Sequence, residues 1–155
     1  MKLAEALALR AEKARRAEQL RGRITANARY QEGETPAEDA GDLLDQAGEV
    51  LAELESLIRR INRTNAAVVL EDGDTLTDAL ARRDVLRLRH GLMTAAASAA
   101  AGEGQQGYRQ LRSELRMIAA LPVAELRAEA DELARQLREV DTLIQRTNWE
   151  ADLLD

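Results

Sequence analysis

The fold is decided by the stretch LAELESLIRRINRTN, residues 51–65, which a second stretch, ARQLREVDTLIQRTN at residues 134–148, matches position by position. In both stretches apolar side chains recur in steps of three and four residues, the spacing of one face of a helix that packs on other helices. The apolar seam extends over residues 43–68 in the first copy and over residues 126–154 in the second. The two seams predict two long amphipathic helices that arose by duplication.

The segments that precede these two helices also match each other. Leu3–Arg10 aligns with Leu76–Arg83, so each long helix has an equivalent partner before it. Two helices joined by a short connection pack antiparallel. The sequence therefore predicts four helices, near Lys2–Asn27, Asp39–Asn65, Leu76–Ala101 and Val123–Leu153.

The predicted fold class is all-α, a duplicated antiparallel helical hairpin forming a four-helix bundle. A single domain is expected over residues 1–155, with an internal repeat of residues 2–70 and 75–154. A minor β element near residues 67–75 and 115–121 is the one departure from helix that the sequence allows.

Three connections are predicted from turn and capping residues. Thr35-Pro36-Ala37-Glu38 has the pattern of a capping box, and Asp39 offers a second start for the helix that follows. Glu71–Asp74 contains Asp-Gly, which supplies the positive φ of a tight turn before Thr75 caps the next helix. Gly102–Gly107 predicts a loop in the second hairpin.

Composition excludes several classes of function. The net charge is −6, and arginines are interspersed with carboxylates, so no phosphate-binding stripe for nucleic acid is present. There is no cysteine, hence no thiol nucleophile or cysteine metal site. No export signal or long apolar segment is present, which predicts a cytoplasmic protein without a membrane partner.

The sequence shows no catalytic constellation. It contains no nucleophile–base pair, metal cluster or phosphate loop, and the lone His90 has no second ligand nearby in the predicted helices. We therefore predict no catalytic residues, no metal site and no cofactor, and we expect that the protein is not an enzyme.

One polar constellation does emerge from the predicted packing. If the hairpins meet about a pseudo-twofold axis, the start of each first helix lies near the end of each second helix. This end of the bundle would collect the candidate ligand-binding residues Arg10, Arg63, Asn65, Arg83, Arg146, Asn148 and Trp149. The favoured interpretation is a polar layer in which buried, hydrogen-bonded Asn65 and Asn148 set the helix register. The alternative is a pocket for a small anionic ligand, with Trp149 as its apolar wall.

The second predicted helix carries an extra apolar ridge, which we define as Leu44, Leu51 and Ile58. The matching positions in the fourth helix are Arg127, Ala134 and Asp141, which are typical of a solvent-exposed face. Aligned aliphatic side chains on a soluble surface commonly mark an interface. The ridge therefore predicts a homo-oligomer, most simply a symmetric dimer, with the second helix at its interface.

Several short motifs resemble the septicolysin-like family of small bacterial proteins. They include Lys2–Leu7, Gln31–Glu34, Ile61–Asn65, Leu70–Gly73 and the pair Asn148-Trp149. The resemblance covers nearly the whole chain and departs from the family pattern between Gly107 and Leu121. It implies a small bacterial protein, and the family name implies a haemolysin. The absence of cysteine and of an export signal disfavours that membrane-active role.

The leading functional prediction is a non-catalytic, oligomeric helical-bundle protein that acts as an assembly or adaptor component. The first alternative is a binding module for a small anionic ligand at the end lined by arginine and asparagine. The second alternative, a membrane-active protein, rests on the family resemblance.

Overall fold

The computed structural model describes residues 1–104 and 115–155, and within them the chain forms four helices and no sheet. The helices are α1 (Leu3–Asn27), α2 (Ala40–Ala67), α3 (Leu76–Ala100) and α4 (Val123–Glu150). The predicted all-α class and the four predicted helices are confirmed, with every boundary within three residues.

The helix boundaries reproduce the predicted duplication. The first helices of the two copies, α1 and α3, are both 25 residues long, and the second helices, α2 and α4, are both 28. Adding 73 to the residue numbers at both ends of α1 gives the ends of α3. Adding 83 to those of α2 gives the ends of α4. The two hairpins therefore share one register along their whole length.

Burial follows the same correspondence. Leu3 and its counterpart Leu76 are both 0% exposed, because each opens its helix on the apolar face. In the longer helices Ile61 and Ile144 are buried at equivalent seam positions. The predicted seams are thus the sides on which the helices pack.

The described residues form two compact units, one of residues 1–76 with 145–155 and the other of residues 77–144. In the first unit α1 packs on α2, and the ion pairs Lys13–Glu53 and Arg23–Glu38 show that these helices run antiparallel.

In the second unit the helices of the other hairpin also run antiparallel. Arg89 of α3 pairs with Glu129 of α4 at 3.4 Å, whereas Arg87, earlier in α3, pairs with Asp141, later in α4, at 3.6 Å.

Backbone pairing closes the turn between α2 and α3. The Leu76 N–H donates to the Val68 carbonyl at 2.9 Å, and the Leu70 N–H donates to the Asp74 carbonyl at 2.8 Å. These bonds flank an antiparallel β-bridge between Val69 and Thr75, and Gly73 adopts the predicted positive φ of 89°.

The first and last residues of the sequence repeat this pairing. The Leu3 N–H donates to the Ala151 carbonyl at 3.0 Å, and the Leu153 N–H donates to the Met1 carbonyl at 2.9 Å, around a bridge between Lys2 and Asp152. Each hydrogen bond of this pairing has an equivalent near the turn: adding 73 to the residue number of one partner and subtracting 83 from that of the other gives the matching pair. We call the two copies the turn bridge (residues 68–76) and the terminal bridge (residues 1–3 with 151–153).

The start of α2 differs from the capping box predicted at Thr35. Helix α2 begins at Ala40, and the Asp39 carboxylate caps it by accepting from the Gly41 and Asp42 N–H groups at 2.7 and 3.1 Å. The second predicted start is therefore the correct one. Glu38 instead binds Arg23 near the end of α1, since charge pairing with a guanidinium competes with capping.

The predicted minor β element is reduced to the turn bridge. Residues 115–121 form neither helix nor strand and are exposed, so the strand considered there is absent. At the end of α3, Gly102 adopts a φ of 76°, and the Glu103 N–H returns to the Ser98 carbonyl, an arrangement that ends helices at glycine. Residues 105–114, which include the end of the predicted Gly102–Gly107 loop, lie outside the described residues.

The two bridges predict matched effects on stability. Leu70 and Leu153 are equivalent, and they are 7% and 9% exposed. We expect Leu70→Ala and Leu153→Ala each to lower the free energy of unfolding by about 2–5 kcal/mol, the usual range for buried leucine. Urea denaturation provides the measurement, and Leu154→Ala, at a position 44% exposed, provides the control. A Leu153→Ala variant as stable as the control would show that the terminal bridge does not help to hold the fold together.

Candidate functional site

The polar end predicted from sequence lies largely in the first unit, where α2 and α4 end. Three polar residues are buried among the described positions, namely Thr64, Thr147 and Asn148. The Thr64 hydroxyl donates to the Arg60 carbonyl at 2.8 Å and accepts from the Leu154 N–H at 3.0 Å. This hydroxyl holds the backbone of residue 154 against α2. The heptad pattern did not predict this role, because Thr64 occupies an ordinary position of the apolar seam.

Asn65 and Asn148 occupy equivalent positions in the sequence, but they differ in burial. Asn148 is 7% exposed, as predicted, whereas Asn65 is half-buried. The pair that is buried in both copies is Thr64 with Thr147. Among the described residues, no buried side-chain nitrogen or oxygen lacks a hydrogen-bond partner. The layer is therefore satisfied, and threonine is its repeated element.

The candidate arginines bind different acceptors. Arg63 donates to the Asp155 main-chain oxygen at 2.9 Å, and Arg146 pairs with Glu71 at 2.8 Å. Arg83 belongs to the second unit, where it pairs with Asp84 at 3.0 Å. These pairings link the three guanidinium groups to separate carboxyl and carbonyl oxygens.

The other candidates at this end are solvent-facing. Arg10 is exposed on α1, and Trp149 is 63% exposed. Trp149 therefore contributes a surface ring.

A second arginine cluster, missed by the sequence analysis, holds the last residues on α2. Arg60 donates to the Leu154 carbonyl at 3.0 Å and to the Asp155 carboxylate at 2.9 Å. With Ser56, Arg59 and Arg63, these groups line a cavity of about 310 Å³. We call this site the arginine clasp. The spacing of Arg59, Arg60 and Arg63 is visible in the sequence. Their position beside Asp155 depends on how the last residues of the chain pack on α2.

The terminal bridge carries its own ion pair. The Lys2 ammonium lies 2.8 Å from the Asp152 carboxylate and donates to the Glu150 carbonyl at 2.9 Å. Its hydrogen bond and positive charge lower the pKa of Asp152 below the usual range. The pair adds an electrostatic link to the backbone bonds of the terminal bridge.

The ridge predicted on α2 is solvent-exposed. Leu44, Leu51 and Ile58 are 58%, 52% and 39% exposed, respectively. The three side chains are seven residues apart, about two helical turns, and so lie along one side of α2. This combination makes the ridge a candidate interaction surface.

The described residues contain no group of three or more histidine, cysteine, aspartate or glutamate side chains arranged to hold a metal ion. In the same part of the chain, no helix has the length and hydropathy needed to cross a membrane.

The Lys2–Asp152 pair predicts a specific dependence on pH. We expect Lys2→Met to raise the pKa of Asp152 towards the usual range, because both the hydrogen bond and the positive charge are lost. The lowered pKa means that the pair stabilises the folded chain at neutral pH, and that this contribution disappears as pH falls through the pKa of Asp152. NMR titration of the Asp152 carboxyl measures the change, and Lys13→Met is the control. An unchanged pKa in Lys2→Met would show that the pair does not form in solution.

Comparison with known proteins gives a structural relative and a family, neither with an assigned function. A crystal structure of a functionally unknown conserved protein from Corynebacterium diphtheriae superposes with a TM-score of 0.90. It is 38% identical to this chain, and the alignment covers 99% of both chains. No curated protein matches the sequence. A model of a family of unknown function, DUF6847, matches residues 10–153, and the chain belongs to that family.

Proposed function

We propose that this protein is a non-catalytic assembly component that self-associates through the α2 ridge. The observation that carries the proposal is the exposure of Leu44, Leu51 and Ile58 at intervals of seven residues. Because the ridge is an aligned apolar surface on a charged protein, association would remove it from water.

Comparison of the two hairpins supports a role for the ridge beyond folding. The α4 positions equivalent to the ridge hold Arg127, Ala134 and Asp141. The structure leaves Ala134 and Asp141 half-buried, so this face of α4 is less exposed than its sequence suggested. Helix α4 nevertheless forms the same 28-residue helix without large aliphatic side chains at these positions. Full burial of an exposed leucine or isoleucine side chain contributes about 1.5–3 kcal/mol. Because the ridge side chains are 39–58% exposed, covering them would contribute roughly half of that each.

Gly48 gives a second indication of a helix partner. It lies between Leu44 and Leu51, and a β-carbon added at this position would meet nothing within 4 Å. Glycine in a helix interior costs about 0.5–1 kcal/mol relative to alanine, and packing within the chain does not explain it. A bare backbone beside the ridge would let a second helix approach closely.

A cytoplasmic location and kinship with the septicolysin-like family belong to the same proposal. The absence of a membrane-crossing helix among the described residues is compatible with the first. The second rests on the sequence motifs alone.

The arginine clasp supports an alternative function, the binding of a small anionic ligand. Arg60 and Arg63 already hold oxygens of Asp155, so the cavity has the chemistry of a carboxylate site. A ligand would have to displace this residue. The candidate arginines at Arg10, Arg83 and Arg146 lie outside the cavity lining.

The assembly proposal is tested by mass in solution. We expect an oligomer for the wild type at micromolar concentration and a monomer for Leu51→Glu, because a buried charge in the interface is costly. Light scattering after size exclusion gives the mass. The matched control is Ala128→Glu, since Ala128 is exposed on α4 and its counterpart on α2 is Asp45. A monomeric wild type, or an oligomeric Leu51→Glu, would overturn the proposal.

Calorimetric titration with phosphate and with acetate tests the alternative. Saturable binding that is lost in Arg63→Gln would support an anion site in the arginine clasp. Equal heats for wild type and variant would reject it.

A further inference from the structure

Two further rows of exposed residues run beside the ridge along α2. Gly48 and Glu55 lie three or four residues from the ridge side chains, and we call them the middle row. Asp45, Ala52 and Arg59 lie three or four residues from the middle row, and we call them the flanking row. All five positions are exposed, so the outer side of α2 presents three adjacent rows to solvent.

The flanking row changes its charge along the helix. Its first member, Asp45, is acidic and its last, Arg59, is basic, and the small Ala52 lies midway between them. The Arg59 side chain is 64% exposed, and its contact with Glu55 is long, at 4.0 Å. A row that is acidic at one end and basic at the other complements itself when two copies lie antiparallel.

The charge of α2 as a whole follows the same direction. Residues 40–53 hold four carboxylates and no basic residue, whereas residues 54–67 hold three arginines and one glutamate. Several of these charges are already paired within the chain. Glu53 binds Lys13, and Arg60 and Arg63 hold oxygens of Asp155 in the arginine clasp, which Arg59 also lines.

We infer that the ridge packs against the ridge of a second copy of this chain, with the two α2 helices antiparallel about a twofold axis at Ala52. The inference rests on the proposed self-association and adds the partner surface, the orientation and the register. In this register Leu44 lies near Ile58 of the second copy, and Leu51 lies near its own equivalent. The contact extends over about 21 Å of α2 and covers six ridge side chains, three from each copy.

The other two rows fit the same register. Asp45 lies beside Arg59 of the second copy, and the twofold axis makes this pair occur twice. Gly48 lies opposite Glu55 of the second copy, where the missing side chain leaves room for the longer one. Arg59 is then shared between Glu55 of its own helix and Asp45 of the other.

A parallel arrangement lacks this fit. It would place Asp45 beside Asp45, Glu55 beside Glu55 and Arg59 beside Arg59, so that every charge of the middle and flanking rows would meet its like. The antiparallel contact is also specific to α2. On α4 the residue equivalent to Ala52 is Arg135, which would meet a second Arg135 at the axis.

Charge reversal tests the register. We expect Asp45→Arg and Arg59→Asp each to raise the dissociation constant of the dimer about tenfold, because each turns two attractive pairs into repulsive ones. The double variant should return to the wild-type value, since it exchanges the charges and restores both pairs. Sedimentation over a concentration series measures the constant. The matched control is Ala128→Arg, at the exposed α4 counterpart of Asp45, which should leave the constant unchanged.

The two single reversals change the net charge in opposite directions, so weakening by both cannot result from net charge alone. Unchanged constants in both, or a double variant no tighter than the single ones, would overturn the register. Leu51→Glu separates this failure from that of the proposed function. If Leu51→Glu is monomeric while the reversals have no effect, only the present inference fails, and if it remains oligomeric, both fail.

Spin labels measure the orientation independently, because the sequence contains no cysteine. Ala52 and Ala66 are both exposed and lie two heptads apart on the same side of α2. In the antiparallel dimer, labels on Ala52→Cys lie across the axis from each other, whereas labels on Ala66→Cys are separated by about 42 Å along the helices. Pulsed dipolar spectroscopy should therefore find a short distance at the first site and a long one at the second. Equal distances at both sites would show a parallel pair and overturn the inference, and long distances at both in a dimeric protein would overturn the proposed function as well.

Discussion

The structure depends on one repeated constraint, the pairing of the backbone that enters each first helix with the backbone that leaves a second helix. Leu76 is held by the Val68 carbonyl in the turn bridge, and Leu3 by the Ala151 carbonyl in the terminal bridge. Both leucines are fully buried, so the hydrogen bonds and the apolar contacts act at the same residues. Each bridge therefore marks where a first helix, α1 or α3, starts.

The bridges also explain why the two copies could diverge without loss of the fold. Positions that form the bridges and seams stay alike, as Thr64 and Thr147 do. Residues on the outward faces of the helices form neither bridges nor seams, so they can differ between the copies. One copy has acquired aliphatic residues on its second helix, and the other has acquired them on its first. Duplication alone would give the two copies the same outward faces. A role specific to one copy is therefore expected on the faces that differ.

The sequence revealed the fold because the heptad steps and the repeat are long-range patterns. Leu43–Val68 and its counterpart were sufficient to place α2 and α4. The start of α2 was harder, because Thr35 and Asp39 are both good caps and the choice depends on Arg23 drawing Glu38 away. The terminal bridge was not predictable, since it depends on how residues 151–153 return to Met1.

The candidate site could be predicted only in part, because it also depends on how distant segments of the chain pack together. The α2 ridge emerged from comparison of the copies, and its exposure agrees with that analysis. The exposed aliphatic residues of α3, Val85, Leu88 and Leu92, were hidden among alanines, because their spacing becomes clear only when the buried face of α3 is known. The arginines of the polar end looked convergent in sequence, but Arg63, Arg83 and Arg146 each bond to a different oxygen.

If the protein self-associates as we propose, the α2 ridge is covered in the oligomer. Hydroxyl-radical footprinting of the wild type, above and below the concentration at which it associates, measures this most directly. Reactivity should fall at Leu51 in the associated sample, while exposed Tyr30 and Trp149 stay unchanged as internal references. Equal reactivity of Leu51 at both concentrations would contradict the proposal.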